Sequence, residues 1–368
     1  MTKVFISTLL ALLFLSSCSN EGKDDLKIIK VEKDKLVDLD LSDISVDVKA
    51  IILETSDSCL LSHIMKVEQS DSFLFVFDFS GPKVLQFSSD GSYIKKIGNK
   101  GRGPGEYPNL RTFALDKLNK QICIATSKKL MAYSYTGAFL KEVGHNFLVE
   151  DMTYTDDGLK ILTTGFGARE ESGTYVHTKY LYTLNRDLVF TDSLLVSKSY
   201  FDGNRGADHP MPFLISDIED GLYIYAPEFL YEPFLRDTLF KLIDNTLIPY
   251  TKYDFGAGKE MNDPRKSIYI KNIYKSMRYS FMEFSYKRTA YFNVHDKISN
   301  NTWNLEEGIT DDIFNTGAVT LRPLEEKSDL FFFTKDAYSL QGIIDGIHED
   351  DNPVLFIVKL KYTYEDQL

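Results

Sequence analysis

Two acidic pairs, Glu306-Glu307 and Asp311-Asp312, follow Trp303, the only tryptophan of the chain. Carboxylates beside an aromatic face are what sugar binding, calcium binding or glycosidic acid/base chemistry would use, the last needing two carboxyls about 5 to 9.5 Å apart. A second candidate group is Arg102, Glu106 and Tyr107 within Gly98-Asn99-Lys100-Gly101-Arg102-Gly103-Pro104-Gly105-Glu106-Tyr107-Pro108. There a guanidinium fork and a carboxylate could face a ligand from a loop bent at its glycines and stiffened by Pro104. Both groups also have a structural reading. Acidic pairs recur at Asp156-Asp157, Glu170-Glu171, Glu325-Glu326 and Asp350-Asp351, mostly as solvated turns, and Arg102 with Glu106 would equally form an ion pair between neighbouring elements.

The remaining chemistry-bearing residues are dispersed. Six histidines, His63, His145, His177, His209, His295 and His348, show no HExxH or other ligand spacing, and His209 reads as a solvated loop residue. No Gly-x-Ser-x-Gly elbow and no P-loop occurs, so a serine hydrolase or nucleotide enzyme has no support. No catalytic residue, cofactor or metal is therefore assigned. The stretch Asp263 to Arg288 interleaves Tyr269, Tyr274, Tyr279 and Phe281 with Lys271, Lys275 and Arg278. It suits an anionic-glycan surface or, in preference, an aromatic-rich inner strand.

The elements that would position these groups are strands. Short runs of Val, Ile, Phe, Tyr and Leu alternate with Gly, Asp, Asn and Ser, the pattern of strands and tight turns. The segment Val84 to Gly98 matches Leu130 to Gly144 at an offset of 46 residues, a hairpin turning at Asp90-Gly91 in one copy and Thr136-Gly137 in the other. An offset of roughly 40 to 50 residues suits four-stranded propeller blades. The apolar strands Phe73 to Phe79 and Gln121 to Thr126 precede the two hairpins as interior strands. A blade buries both faces only between neighbours, so the repeats close into a ring.

Continuing the count places further blades at Phe147 to Lys198, Phe213 to Gly256 and Ser267 to Asn304. The last takes Ala318 to Pro323, Asp329 to Thr334 and Val354 to Lys361 and lacks one strand, which Val46 to Glu54 would supply. The expectation is an all-β, six-bladed β-propeller of four-stranded antiparallel blades, its ring closed by an N-terminal strand.

At the N-terminus a basic start and an apolar run from Val4 to Leu15 end in Leu15-Ser16-Ser17-Cys18. The run is shorter than the roughly 20 residues of a membrane span. Leu-Ser-Ser-Cys resembles the bacterial lipobox, in which the cysteine is lipidated. Residues 1–17 then form a signal peptide, Cys18 carries the acyl chains (palmitate among them), 18–45 is a tether and 46–368 the propeller. Lys23-Asp24-Asp25 also resembles a short surface-export signal of Bacteroidota lipoproteins. Location is thus expected at the outer membrane, on its periplasmic or outer side. Cys59 and Cys123 read as two separate thiols in strands. A formal charge of -12 repels polyanions and argues against nucleic-acid binding.

The glycine-rich segment from Gly98 to Pro108, with Phe113-Ala114-Leu115-Asp116 after it, resembles NHL-type propeller repeats. With Asp237-Thr238-Leu239-Phe240, Trp303-Asn304-Leu305 and Asn352-Pro353-Val354-Leu355, the chain resembles six-bladed propeller lipoproteins abundant in Bacteroides-type bacteria. That resemblance implies fold and location and carries over no catalytic residue. The functional expectation is a monomeric, lipid-anchored module binding a glycan or an envelope protein, with Arg102, Glu106, Tyr107, Trp303, Asp311 and Asp312 as candidate ligand contacts. The alternatives are a polysaccharide-acting hydrolase or lyase, and a scaffold subunit of an outer-membrane complex.

Overall fold

The structure is a computed structural model that describes residues 26–169, 173–201, 213–228, 234–256 and 268–362. Cys18, Lys23-Asp24-Asp25 and His209 lie outside the described residues. Six antiparallel four-stranded sheets form the six-bladed propeller. Blade 1 consists of Ile64–Gln69, Phe73–Asp78, Lys83–Ser88 and Tyr93–Ile97, and blade 2 of Thr112–Asp116, Gln121–Ala125, Lys129–Ser134 and Phe139–Gly144. Blade 3, Leu148–Thr155, Gly158–Arg169, Tyr175–Leu184 and Phe190–Phe201, is the tallest. Blade 4 holds Ile215–Ile218, Gly221–Ile224, Thr238–Ile243 and Thr246–Asp254, and blade 5 Ile268–Lys275, Tyr279–Tyr286, Thr289–Asp296 and Thr302–Glu306.

Blade 6 takes its three inner strands, Arg322–Glu325, Leu330–Lys335 and Val354–Leu360, from the C-terminal part of the chain. Its outermost strand is Ser45–Ile51, antiparallel to Val354–Leu360 with Val48 opposite Val358. The expected N-terminal closing strand is therefore present. The first strand of blade 6 begins at Arg322 and not at Ala318: Gly317–Val319 instead pairs with Ile309–Asp311 in a small hairpin between blades 5 and 6. Alternation alone does not separate such a hairpin from a blade strand, because both are apolar every second residue.

The two repeats fold as anticipated. Gly91 and Gly137 sit at φ +96° and +87° in matching turns, a region open to glycine at little cost. A Cβ on Gly91 would also stand 2.1 Å from the Ile52 carbonyl oxygen, so this turn packs directly against the end of the closing strand. The seam between blades 6 and 1 is tied there. Glu54 N donates to Gly91 O at 2.9 Å, and Tyr93 N donates to the Glu54 carboxylate at 2.9 Å.

Residues 26–45 are not a free tether. Lys27–Lys30 adds a fifth, parallel strand to the outer edge of blade 4, with Ile29 and Val31 buried. The chain then crosses blade 5, where Asn304 Nδ2 donates to Glu32 O and Val37 N to Asn304 O. It reaches blade 6 through the turn Leu41–Ile44, burying Leu39, Leu41 and Ile44 in the core shared with blades 5, 6 and 1. The charged residues between these apolar anchors make the segment read as a linker. Its apolar residues are too widely spaced to announce a strand.

Cys59 and Cys123 are free and buried. Among the described residues no helix is long and apolar enough to cross a membrane.

Candidate functional site: the two mouths of the channel

The inner strands run in one direction around the ring, so their first residues surround one mouth of the central channel and their last residues the other. The mouth at the strand ends is a cavity of about 490 Å³. Its wall is charged: seven carboxylates face four basic groups. Glu68 comes from blade 1, Asp116 and Lys117 from blade 2, Asp151 and Asp156 from blade 3, Asp217 from blade 4 and Glu325, Glu326 and Lys327 from blade 6. The turn after each inner strand is polar because it meets water at the mouth, and sixfold geometry brings these turns together.

Every cation at this mouth is matched. Lys66 Nζ lies 3.0 Å from Glu68 Oε1 and 3.5 Å from Asp151 Oδ1, and donates to the Phe113 and Met152 carbonyls at 2.9 and 3.2 Å. Burial opposes its charge, but Glu68 and Asp151 outweigh that and hold the ammonium above its ordinary range. Lys117 pairs with Glu325, Lys327 Nζ with Asp217 at 2.9 Å, and Arg186 Nε with Asp116 at 3.3 Å. Asp151 also accepts the Leu214 and Ile215 amides at 2.8 and 3.1 Å, fixing the entry of blade 4 onto blade 3.

Two carboxyls at this mouth, Asp156 on the rim and Glu326 in the wall, form no ion pair among the described residues, although both lie near enough to Lys327 to favour its charge. Enclosure pushes the Glu326 carboxyl up to about 8, with Asp217 and Asp151 adding to the rise and Lys66 opposing it. At neutral pH this group carries a proton. It can donate a hydrogen bond into the cavity as well as accept one.

The opposite mouth is a cavity of about 750 Å³ with a different wall. Phe79, Phe332 and Phe333 line it, together with Lys271, Arg322 and Lys335. Phe213 borders both cavities and divides the channel. Its backbone sits at φ +74°, a region that costs a bulky L-residue roughly 1–2 kcal/mol. The Asp151 bonds to the two following amides, Leu214 and Ile215, hold the segment in place.

The residues singled out in the sequence do not gather at either mouth. Arg102 is exposed. Glu106 accepts the Gly103 amide at 2.9 Å, closing its own loop, and Tyr107 is buried with its hydroxyl donating to Ile97 O at 2.9 Å. The loop rests on the outer strand of blade 2, where a Cβ on Gly105 would stand 3.0 Å from Phe139, so it does not cross a channel mouth. Trp303 is half-buried on the outermost strand of blade 5, opposite Val294. Asp311 is buried and accepts the Ile313, Phe314 and Thr316 amides and the Thr316 hydroxyl. Asp312 accepts the Ser42 amide at 3.0 Å and its hydroxyl at 2.5 Å, fastening the N-terminal segment.

The residues that do converge were partly in view. In sequence, Asp156 and the Glu325-Glu326 pair have the pattern of solvated turns, and Lys271 that of an inner strand. The signal that assembles most of the acidic mouth is phase: Glu68, Asp116, Asp156, Asp217 and Glu325-Glu326 stand at or next to the end of an inner strand. Phase can be read only where two repeats align, which here means blades 1 and 2.

A family model described as Domain of unknown function (DUF4934) matches residues 26–359. The chain belongs to the DUF4934 family. The matched span begins at the strand added to blade 4, so the family unit includes the N-terminal segment as well as the ring. An exported-protein candidate from Bacteroides fragilis has the same fold as this DUF4934 chain, at a TM-score of 0.65 and 20% identity, covering 91% of this chain and 99% of that one. The Neurospora crassa Pan2 WD40 domain aligns at a TM-score of 0.44 and 10% identity, over 80% of this chain and 75% of that one. The PQQ-bound aldose sugar dehydrogenase of Streptomyces coelicolor aligns at 0.42 and 11%, over 86% of this chain and 100% of that one. At those scores neither carries a functional argument. No curated protein sequence matches the DUF4934 chain.

Proposed function

We propose that this protein is a lipid-anchored propeller of the bacterial outer membrane that acts as a binding module, taking a glycan or a polar segment of an envelope protein at its acidic mouth. One observation carries the reading: five blades direct charged groups into a single cavity of about 490 Å³ in which Glu326 and Asp156 form no ion pair among the described residues. That volume falls within the usual range of small-ligand sites. A protonated Glu326 beside ionised neighbours offers both a donor and acceptors, the combination a hydroxyl-rich ligand needs. The Bacteroides fragilis exported-protein candidate supports the envelope location, and the Leu-Ser-Ser-Cys sequence supports the anchor.

The binding test is a glycan array and an envelope-protein pull-down with the soluble chain from Ser19, read against pH. Binding of each hit is expected to weaken roughly tenfold as pH rises past about 8 and Glu326 loses its proton, and Glu326→Gln is expected to remove that pH dependence. If neither glycans nor envelope proteins are retained, or if the pH profile is the same in Glu326→Gln, the reading of this mouth fails. The anchor is tested separately. Cys18→Ser is expected to move the protein from the membrane fraction to the soluble fraction and to abolish palmitate incorporation, and a variant that stays membrane-bound and labelled would refute lipidation at Cys18.

A further inference from the structure

The inner strand of blade 5 carries an irregularity at Lys271. Ile270 pairs with Phe284 and Asn272 with Glu283, leaving Lys271 as the extra residue of a β-bulge. A bulge re-aims the side chain of its extra residue, and Lys271 here lines the 750 Å³ cavity. It is half-buried and, among the described residues, forms no ion pair or hydrogen bond. Two more cations share this wall. Lys335 donates to Ala318 O at 2.9 Å, and Arg322 pairs with Glu283 while donating to the Tyr274 hydroxyl at 3.3 Å. Glu283 is the one carboxylate lining the cavity, against three cations. In a chain of charge -12 this is a local reversal of sign.

The other half of the wall is aromatic. Phe332 and Phe333 are buried in the inner part of blade 6, Phe213 closes the floor, and Phe79 stands at the rim with His63. We propose that this second mouth is a binding site for a small anion with a flat apolar body, its charge met by Lys271 and Lys335 and its body laid against the exposed Phe79 at the rim. A half-buried ammonium without an anion is desolvated at a cost that an oxyanion would offset through a charge-assisted hydrogen bond. For a cation the wall offers one carboxylate, Glu283, which Arg322 already engages. Phe213 separates this site from the acidic mouth, so the two assignments stand or fall independently.

The test uses the soluble chain from Ser19, which keeps every described element, and two fluorescent probes with the same aromatic body: anionic 8-anilinonaphthalene-1-sulfonate and neutral N-phenyl-1-naphthylamine. The anion is expected to bind one site at least tenfold more tightly than the neutral probe. Lys271→Met should weaken the anion about tenfold and leave the neutral probe within twofold, Lys335→Met should weaken the anion in the same direction, and Lys271→Arg should retain it. Glu326→Gln, in the other mouth, should change neither. Equal affinity for the two probes, or anion binding that is unchanged in both Lys271→Met and Lys335→Met, would overturn the proposal.

Discussion

Asn352→Ala is expected to destabilise the ring by about 3–5 kcal/mol, although Asn352 belongs to no strand. Its buried side chain holds three backbone groups of the segment that leads from the closing strand into blade 1. Leu61 N donates to its Oδ1 at 2.7 Å, and its Nδ2 donates to Glu54 O at 2.7 Å and Cys59 O at 3.0 Å. Each buried backbone group left unmet costs about 1–3 kcal/mol. Because the three lie on the far side of the seam from Val354–Leu360, their loss loosens the joint between blades 6 and 1 as well as one loop. Urea unfolding at constant pH reads the effect. Asn352→Asp keeps the acceptor for Leu61 but sets a buried carboxylate oxygen against the Glu54 and Cys59 carbonyls, so at pH 7 it should cost at least as much as Asn352→Ala. A loss below about 1 kcal/mol for Asn352→Ala would show that the seam is held by the strand ladder and the core alone.

The second large effect has the opposite sign. Lys275→Met is expected to stabilise the protein by about 2–4 kcal/mol at pH 7. The Lys275 side chain is wholly buried between blades 4 and 5, with Nζ 3.6 Å from the Tyr223 ring centroid and 4.6 Å from that of Tyr250. Burial lowers its amine to about 6, and the neighbouring Lys297 and Lys241 add to the drop. Asp220, at 4.0 Å, opposes it weakly. The two tyrosine rings favour the charged form, which is why the expected gain stays below what the whole shift would imply.

The direction with pH follows from proton counting. In the unfolded chain Lys275 keeps its proton up to about 10.4, whereas in the folded chain it releases it near 6. Between those values the unfolded state binds the extra proton, so stability rises with pH by up to about 1.4 kcal/mol per unit from this group. Below about 6 the penalty is complete. The advantage of Lys275→Met over wild type should therefore be largest in acid and shrink as pH climbs toward 10. A variant that unfolds at the same urea concentration as wild type at both pH 6 and pH 9 would sink the argument.

Asn352 and Lys275 also mark what the sequence could and could not disclose. The Asn352-Pro353-Val354-Leu355 segment was visible as a family resemblance, and its place before the last strand was right. Its task was not legible, because the partners Glu54, Cys59 and Leu61 lie almost the whole chain away. Lys275 was visible only as one basic residue in an aromatic stretch. Hairpins such as Val84 to Gly98 were readable because turn and alternation are local properties, and the missing strand of blade 6 was readable because a blade of three strands leaves an edge open. The mouths were not readable in the same way. Asp156 and Glu326 look like any other acidic turn residues until the ring fixes which turns face inward, and nothing in the sequence shows that the carboxylate of Asp311, a candidate ligand contact, is engaged by its own loop.

The pairing of Ser45–Ile51 with Val354–Leu360 sets a timetable for the newborn chain. The closing strand is made before any blade, yet the partner that completes blade 6 follows all of them, and Asn352 arrives only with it. Early blades can form their hairpins as they emerge, but none of them offers the first strand its proper edge. Contacts this distant in sequence are slow to form. Until Val354–Leu360 is available, Ser45–Ile51 therefore has no edge to pair with, and the ring stays unlatched.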